Sequence, residues 1–181
     1  IAPAYLFAGP NGVGKRLAAL RFFEGVLNGG KPNALQRRRL EAGNHPDLLW
    51  IEPTYLHQGR LILKSKANEE GFNSKAYPQI RLEQIRELTS FLAKQPVEAK
   101  RGMVVIESVE AMPEAAANAL LKTLEEPRHG LIILLSNIPE KLLSTIRSRC
   151  QLVLFSSLSS SSIQEVFRGL GVKENHDLFT N

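Results

Sequence analysis

Cysteine is nearly absent from this chain of 181 residues, which contains only Cys150. A single cysteine excludes an internal disulfide and a zinc cage built from cysteines. The four histidines, His45, His57, His129 and His176, are scattered without the spacing of metal ligands. We therefore expect no structural metal.

Long apolar runs are also lacking. No stretch approaches the roughly 20 consecutive apolar residues that a membrane-spanning helix needs, and no signal segment is visible, which makes the cytoplasm the default location. Hydrophobic residues make up 43% of the chain and charged residues 23%, proportions typical of a soluble globular protein with one main domain. The net charge of +5 permits a nucleic acid or an acidic protein as partner and does not select between them.

Short apolar runs alternate with amphipathic segments along most of the chain. Strands are predicted at 4–9, 48–53, 103–107, 131–136 and 151–155, and helices at 15–27, 80–94, 113–126 and 141–147. Strands that are apolar throughout and alternate with helices indicate a parallel sheet covered on both faces. The predicted fold class is α/β, with a doubly wound parallel sheet.

Two stretches fall outside this alternation. Residues 56–72, with the alternating RLILK, predict a short hairpin or excursion between a strand and a helix. The serine-rich stretch 156–162, ahead of an amphipathic segment at 163–171, predicts a hinge into a second, helical domain. We predict a main domain at 1–156 and a hinge with the beginning of a helical lid at 157–181, as a fragment of something longer.

The stretch GPNGVGK, residues 9–15, follows a predicted strand and opens a predicted helix. Glycines there let successive backbone N–H groups point inward, the helix N-terminus adds partial positive charge, and the lysine reaches terminal phosphates. A glycine-rich turn without a ligand is the alternative interpretation. The candidate phosphate-binding residues are Gly9, Asn11, Gly12, Val13, Gly14, Lys15 and Arg16.

This phosphate loop lacks the serine or threonine that normally follows the lysine and holds magnesium, because residue 16 is arginine. A guanidinium cannot coordinate a cation, and we expect Arg16 to stand where the cation should be. The acidic half of such a site is altered too, since Glu107 ends a predicted strand and is followed by Ser108 instead of a second acid. Glu110 lies near the same strand end, and ordinary polar residues at a strand end are the alternative interpretation of both glutamates. The loop leaves ATP or ADP as candidate ligands and does not favour hydrolysis.

Two further polar residues are candidates for a phosphate-binding site. Asn137 follows the fourth predicted strand, which a doubly wound sheet places beside the phosphate loop. Arg149 lies between a predicted helix and the last strand, where an arginine either projects outward or complements the helix dipole.

Five stretches together resemble the clamp-loader branch of the AAA+ proteins: YLFAGPNGVGK, HPDL at 45–48, VVIESVEAM, ANALLKTLEEP and LLSTIRSRC. The combination of NALLKTLEEP with SRC is much more specific than a phosphate loop alone, and the resemblance covers residues 1–155. It implies a P-loop AAA+ domain in a subunit of the bacterial DNA polymerase III clamp loader. That machine uses ATP to open a ring-shaped sliding clamp and place it on primed DNA.

The resemblance also implies roles for individual residues. Arg149, in the SRC motif, would reach across a subunit interface as an arginine finger on ATP bound by the neighbour. Asn137 would be the sensor of the terminal phosphate, and Glu107 would hold the acidic catalytic position. The implied partners are the gamma/tau and delta subunits, the sliding clamp and, through the assembled complex, primed DNA. A degenerate nucleotide site with Arg16 is the kind expected of a stator, which is an accessory subunit whose own ATPase is weak or absent.

The chain also departs from this family. Many relatives carry a cysteine-rich zinc module between the first helix and HPDL, whereas residues 28–44 contain no cysteine, so no zinc is predicted. QRRRL, at 36–40, stands there instead. Its arginines are interpreted as a solvated face rather than as a DNA contact.

Two alternatives to a non-hydrolysing stator stay open. The first is an active ATPase motor of the gamma type that uses Glu107 as a metal ligand, which steady turnover by the isolated subunit would favour. The second is a free-standing P-loop nucleotide kinase with residues 56–72 as its acceptor-binding segment. Phosphoryl transfer to a small acceptor would favour that interpretation.

Overall fold

The computed structural model describes residues 2–72, 74–126, 130–157 and 162. Its strands are β1 (Ala4–Ala8), β2 (Leu48–Ile51), β3 (Thr54–His57), β4 (Arg60–Leu63), β5 (Gly102–Ile106), β6 (Gly130–Ser136) and β7 (Gln151–Leu154). Its α-helices are α1 (Lys15–Asn28), α2 (Ala34–Glu41), α3 (Leu82–Leu92), α4 (Glu114–Glu125) and α5 (Ser144–Arg147). Across these described ranges, no helix is long and apolar enough to cross a membrane.

One five-stranded sheet, in the order β2-β5-β6-β1-β7, organises the domain. Every neighbouring pair in it is parallel, and β5 and β6 are buried at each of their residues. This confirms the predicted α/β class, because continuous apolar runs are what strands covered on both faces require. With all strands running the same way, the carboxyl ends of β1, β5 and β6 lie along one edge.

Helices cover both faces of this sheet. On one face, α1 packs through Ala19 and Phe23, with Leu40 of α2 in the same cluster. On the other face lie α3, α4 and α5. The buried positions of α3 are Ile85, Leu88 and Leu92, a spacing of three and four residues that agrees with the amphipathic helix predicted at 80–94.

The excursion predicted for residues 56–72 contains a hairpin that begins slightly earlier. β3 and β4 pair in antiparallel fashion and form a separate two-stranded sheet. Gln58 and Gly59 connect them, with φ angles of 49° and 77°. Positive φ at both turn residues matches the right-handed twist of a tight hairpin.

Helix α2 lies in a stretch to which sequence reasoning assigned no structure. The Asn33 side chain caps the helix by accepting the backbone N–H groups of Leu35 and Gln36 at 3.0 and 3.2 Å. The Arg37 guanidinium donates from Nε and Nη2 to the buried Glu24 carboxylate, both at 3.1 Å. These contacts attach α2 to α1.

The run of arginines in α2 is therefore only partly a solvated face. Arg37 binds Glu24, and Arg39 forms a two-point ion pair with Glu98 at 2.6 and 2.7 Å. Arg38 is exposed, as expected for all three. The hydrogen bond from Arg37 is the main cause of the lowered pKa of the Glu24 carboxyl, which keeps this anchor ionised.

The HPDL stretch has a structural role at the start of β5. The buried Asp47 carboxylate accepts the backbone N–H groups of Val97, Glu98 and Ala99, each at 2.7 Å. Burial alone would raise the pKa of Asp47, but these hydrogen bonds lower it overall. Asp47 thus fixes the segment that leads into the buried strand β5.

Most of the predicted hinge and lid lies outside the described residues. In that region only 156, 157 and 162 are described. The amphipathic segment 163–171 and the lid predicted within 157–181 therefore stay predictions.

Candidate functional site

A cleft of about 440 Å³ lies at the edge where the carboxyl ends of β1, β5 and β6 meet. Most of the sequence-predicted site residues line it: Asn11, Gly12, Gly14, Lys15, Arg16, Glu107 and Asn137. The parallel strand order brings them together, because each residue follows a strand of the sheet or begins the helix after β1. This is the position at which open α/β sheets bind their ligands.

Backbone geometry explains the glycines of the phosphate loop. Gly12 and Gly14 have φ angles of 80° and 86°, in the left-handed region that favours glycine. Gly9 is required for a different reason, since a Cβ atom there would lie 2.1 Å from the carbonyl oxygen of Phe155. The loop therefore turns tightly into α1 while passing directly against the chain that leaves β7.

Lys15 is buried, with 8% of its surface exposed, and it closes the loop. Its Nζ donates to the carbonyl oxygens of Gly9 and Pro10 at 2.6 and 2.5 Å and to Oδ1 of Asn137 at 2.9 Å. All three ammonium hydrogens thus have acceptors. Burial lowers the pKa of Lys15, and the Glu110 carboxylate opposes this shift.

Glu110 sets the position of Asn137. Its carboxylate accepts the hydroxyl of Ser136 at 2.9 Å and the backbone N–H of Asn137 at 3.1 Å. The sequence offered Glu110 beside Glu107 as a candidate for the acidic half of the site. Its signal in the sequence is an acidic residue three positions after Glu107, in the stretch that connects β5 to α4.

Arg16 and Glu107, the two residues that depart from an ordinary phosphate-loop site, bind each other. Nη1 of Arg16 lies 2.6 Å from Oε1 of Glu107. The same oxygen accepts the indole N–H of Trp50 at 2.6 Å. The Arg16 guanidinium carbon also lies 4.5 Å from the centre of the Trp50 ring, which is a cation–π contact.

Trp50 contacts two residues of the cleft, Arg16 and Glu107, and sequence reasoning missed it. It lies on β2, directly opposite Val105 of β5, two residues before Glu107. The available signal was a lone tryptophan near the end of an apolar strand. That signal acquires meaning only once β2 is known to neighbour β5.

Arg149 is not part of this cleft. It follows α5, which packs on the face of the sheet opposite α1. Its guanidinium donates to the carbonyl oxygen of Thr145 at 2.9 Å and to Oε1 of Glu125 at 2.7 Å. Burial raises the pKa of the adjacent Cys150 thiol to about 11, so this cysteine is not a thiolate at neutral pH.

Comparison with known proteins places the chain in a family. Residues 1–159 match the sequence model of the family described as DNA polymerase III, delta subunit. The chain is 33% identical over 171 residues to the DNA polymerase III subunit delta' of Bacillus subtilis, covering 91% of this chain and 45% of the relative. It is 36% identical over 156 residues to the subunit delta' of Pseudomonas aeruginosa, covering 82% and 42%. The chain thus spans less than half the length of these relatives.

The solved structures agree on the fold. A crystal structure of a DNA polymerase III gamma subunit-related protein from Thermotoga maritima superposes with a TM-score of 0.60 at 23% identity, covering 94% of this chain and 49% of that one. This likeness shows that the two chains share a fold, in agreement with the parallel sheet and the loop at its edge. With these matches and this fold together, the chain belongs to the DNA polymerase III delta-subunit family, and delta' subunits are among its relatives.

Proposed function

We propose that this chain is the AAA+ domain of a delta-prime-type clamp-loader subunit that does not hydrolyse ATP and donates Arg149 to ATP bound by a neighbouring subunit. In this role it acts as a stator. Its partners are gamma/tau and delta subunits, the sliding clamp and, through the assembled loader, primed DNA. The observation that carries the proposal is the 2.6 Å ion pair between Arg16 and Glu107.

This ion pair argues against hydrolysis in the chain's own cleft. Hydrolysis by a phosphate-loop enzyme needs a metal ion held by a hydroxyl and an acid, and a polar group that positions the attacking water. Residue 16 supplies no hydroxyl, and one oxygen of Glu107 already accepts two N–H donors. The cleft therefore keeps the architecture of a nucleotide site and has lost its catalytic half.

Arg149 has the features expected of a donated arginine. It lies away from its own phosphate loop, on the opposite side of the sheet. Its partner Glu125 is half exposed, with 52% of its side chain accessible. An exposed ion pair contributes only about 0–1 kcal/mol, so exchanging Glu125 for a phosphate costs little. A planar guanidinium in that place stabilises the charge that develops on a transferring phosphoryl group.

The test uses the full-length subunit, alone and in the reconstituted loader. Alone, its ATPase is expected to equal the background rate. In the loader, Arg149→Ala is expected to reduce ATP turnover at least about 100-fold, since donated arginines contribute about 10³–10⁵. Arg147→Ala, two residues away at the same exposed helix end, is the matched control and should turn over like the wild type. Normal turnover by the Arg149→Ala loader would refute the donated-arginine role.

An active ATPase motor is the second candidate, because the contact between Lys15 and Asn137 at 2.9 Å preserves the phosphate-sensing half of a working site. Steady turnover by the isolated subunit, abolished by Lys15→Ala, would establish it. No such observation favours a nucleotide kinase. None of the described residues in the proposed acceptor segment, 56–72, lines the cleft.

A further inference from the structure

Working AAA+ ATPases use magnesium, and the residues of this cleft can be tested for their fit to it. Magnesium takes oxygen ligands in near-octahedral geometry at roughly 2.0–2.1 Å. In a phosphate-loop site the hydroxyl after the lysine is one of these ligands, and the acid after the neighbouring strand supports the ion. Here the first position is Arg16, whose guanidinium has only donors, and the second is Glu107, whose Oε1 is bound by Arg16 and Trp50. The residues do not fit magnesium.

The Arg16 guanidinium puts a positive charge of the protein where a magnesium ion would otherwise lie. The Arg16 guanidinium carries a fixed positive charge and lies between the helix that follows the phosphate loop and the end of β5. It is held from two sides, by the Glu107 carboxylate at 2.6 Å and by the face of Trp50 at 4.5 Å. These two anchors come from neighbouring parallel strands, β5 and β2. A divalent ion at this position would meet a cation already bonded to its carboxylate.

We infer that the cluster of Arg16, Glu107 and Trp50 takes the place of the divalent ion, so that this cleft has no magnesium site and nucleotide gains no affinity there from magnesium. The inference adds detail to the proposed stator function. It depends on that function in one respect, the assumption that the phosphate loop derives from a nucleotide-binding site. It assigns Arg16 a positive role, as the built-in cation of the cleft.

The cluster also makes the missing metal site recoverable by one substitution. Arg16→Thr would place a hydroxyl directly after Lys15 and remove the guanidinium from Glu107. Trp50 would still donate to Glu107 and hold its carboxylate at the end of β5. Arg16→Ala is the matched control, since it removes the cation and offers no ligand oxygen.

The experiment titrates the full-length subunit with a fluorescent N-methylanthraniloyl derivative of ATP, once in excess magnesium and once in EDTA. For the wild type, magnesium should change the affinity by less than about threefold, or binding should be undetectable in both conditions. For Arg16→Thr, magnesium should tighten binding at least about tenfold, which corresponds to ~1.4 kcal/mol. Arg16→Ala should be as indifferent to magnesium as the wild type. Thermal unfolding of each variant verifies that it is folded.

Two results would overturn the inference. The first is a wild-type protein that binds the nucleotide at least about tenfold more tightly with magnesium than with EDTA. The second is an Arg16→Thr variant that stays folded and as indifferent to magnesium as the wild type.

The proposed function can fail separately. The Arg149→Ala loader measures the donated arginine without involving the magnesium titration of the isolated subunit. Normal turnover of that loader, together with magnesium-indifferent binding, would leave Arg16 as the built-in cation and remove the donated-arginine role.

Discussion

Two arginine–glutamate pairs lie on opposite sides of the sheet and differ in how exposed each carboxylate is. Arg16 and Glu107 meet at 2.6 Å in the cleft, where the carboxylate is 23% exposed and Trp50 contacts both partners. Arg149, just after α5, meets Glu125, at the end of α4, at 2.7 Å, where the carboxylate is 52% exposed and Arg149 also donates to the carbonyl oxygen of Thr145. The two ion pairs therefore have similar N–O distances in different surroundings.

The difference in surroundings indicates different uses of the same residue type. The Arg16 side chain is 57% exposed, and it contacts both the adjacent aromatic face and a carboxylate that also accepts the Trp50 N–H. The Glu125 carboxylate is open to solvent, so water screens its attraction for Arg149 and replaces it at low cost. Under the proposed function, Arg16 fills a site in its own chain and Arg149 leaves its partner for a site in another.

The largest effect is expected from Arg149→Lys in the reconstituted loader. Lysine keeps the charge but loses the planar fork that binds two phosphate oxygens, so turnover should fall at least about tenfold. Steady-state phosphate release measures this, with Arg147→Lys as the control that should not change. A lysine variant that works normally would mean that charge alone suffices and that the guanidinium geometry at Arg149 is irrelevant.

A smaller effect, on stability, separates the two carboxylates. Glu107→Gln removes the charge from a partly buried acceptor of two N–H donors and should lower the free energy of unfolding by about 1–2 kcal/mol. The matched variant Glu125→Gln should lower it by less than about 0.5 kcal/mol, because its carboxylate is 52% exposed, against 23% for Glu107. Urea unfolding followed by circular dichroism measures both. Equal losses of stability in the two variants would contradict the proposal that Arg16 stays with its glutamate and Arg149 is released from its own.

The smallest effect is expected from Trp50→Phe. Phenylalanine keeps an aromatic face near Arg16 but lacks the indole N–H that donates to Glu107, so stability should fall by about 0.5–1 kcal/mol. Trp50→Leu, which loses the face as well, should cost more. Circular dichroism is the suitable probe, since Trp50 is the only tryptophan of the chain. A phenylalanine variant as stable as the wild type would show that the indole hydrogen bond adds nothing.

Local patterns predicted the features that depend on neighbours in sequence. The apolar runs of β5 and β6 and the spacing of Ile85, Leu88 and Leu92 predicted the sheet and α3. The phosphate loop was recognisable because its glycines and lysine are consecutive. Helix α2 was not predicted, because its sequence, ALQRRRLE, buries only Leu40 and presents no apolar face. It is held instead by contacts such as that of Arg37 with Glu24, which only the folded chain brings together.

The sequence by itself determined that a phosphate loop would open the first helix, that it would carry a guanidinium where a hydroxyl is usual, and that Arg149 would follow the last helix of the sheet. Only the tertiary structure decided that Arg16 binds Glu107, 91 positions away, and that Lys15 binds Asn137, 122 positions away. Strand order is the physical reason. Periodicity reports which face of a strand or helix is buried, whereas the side chains that meet at the end of a sheet depend on which strands become neighbours.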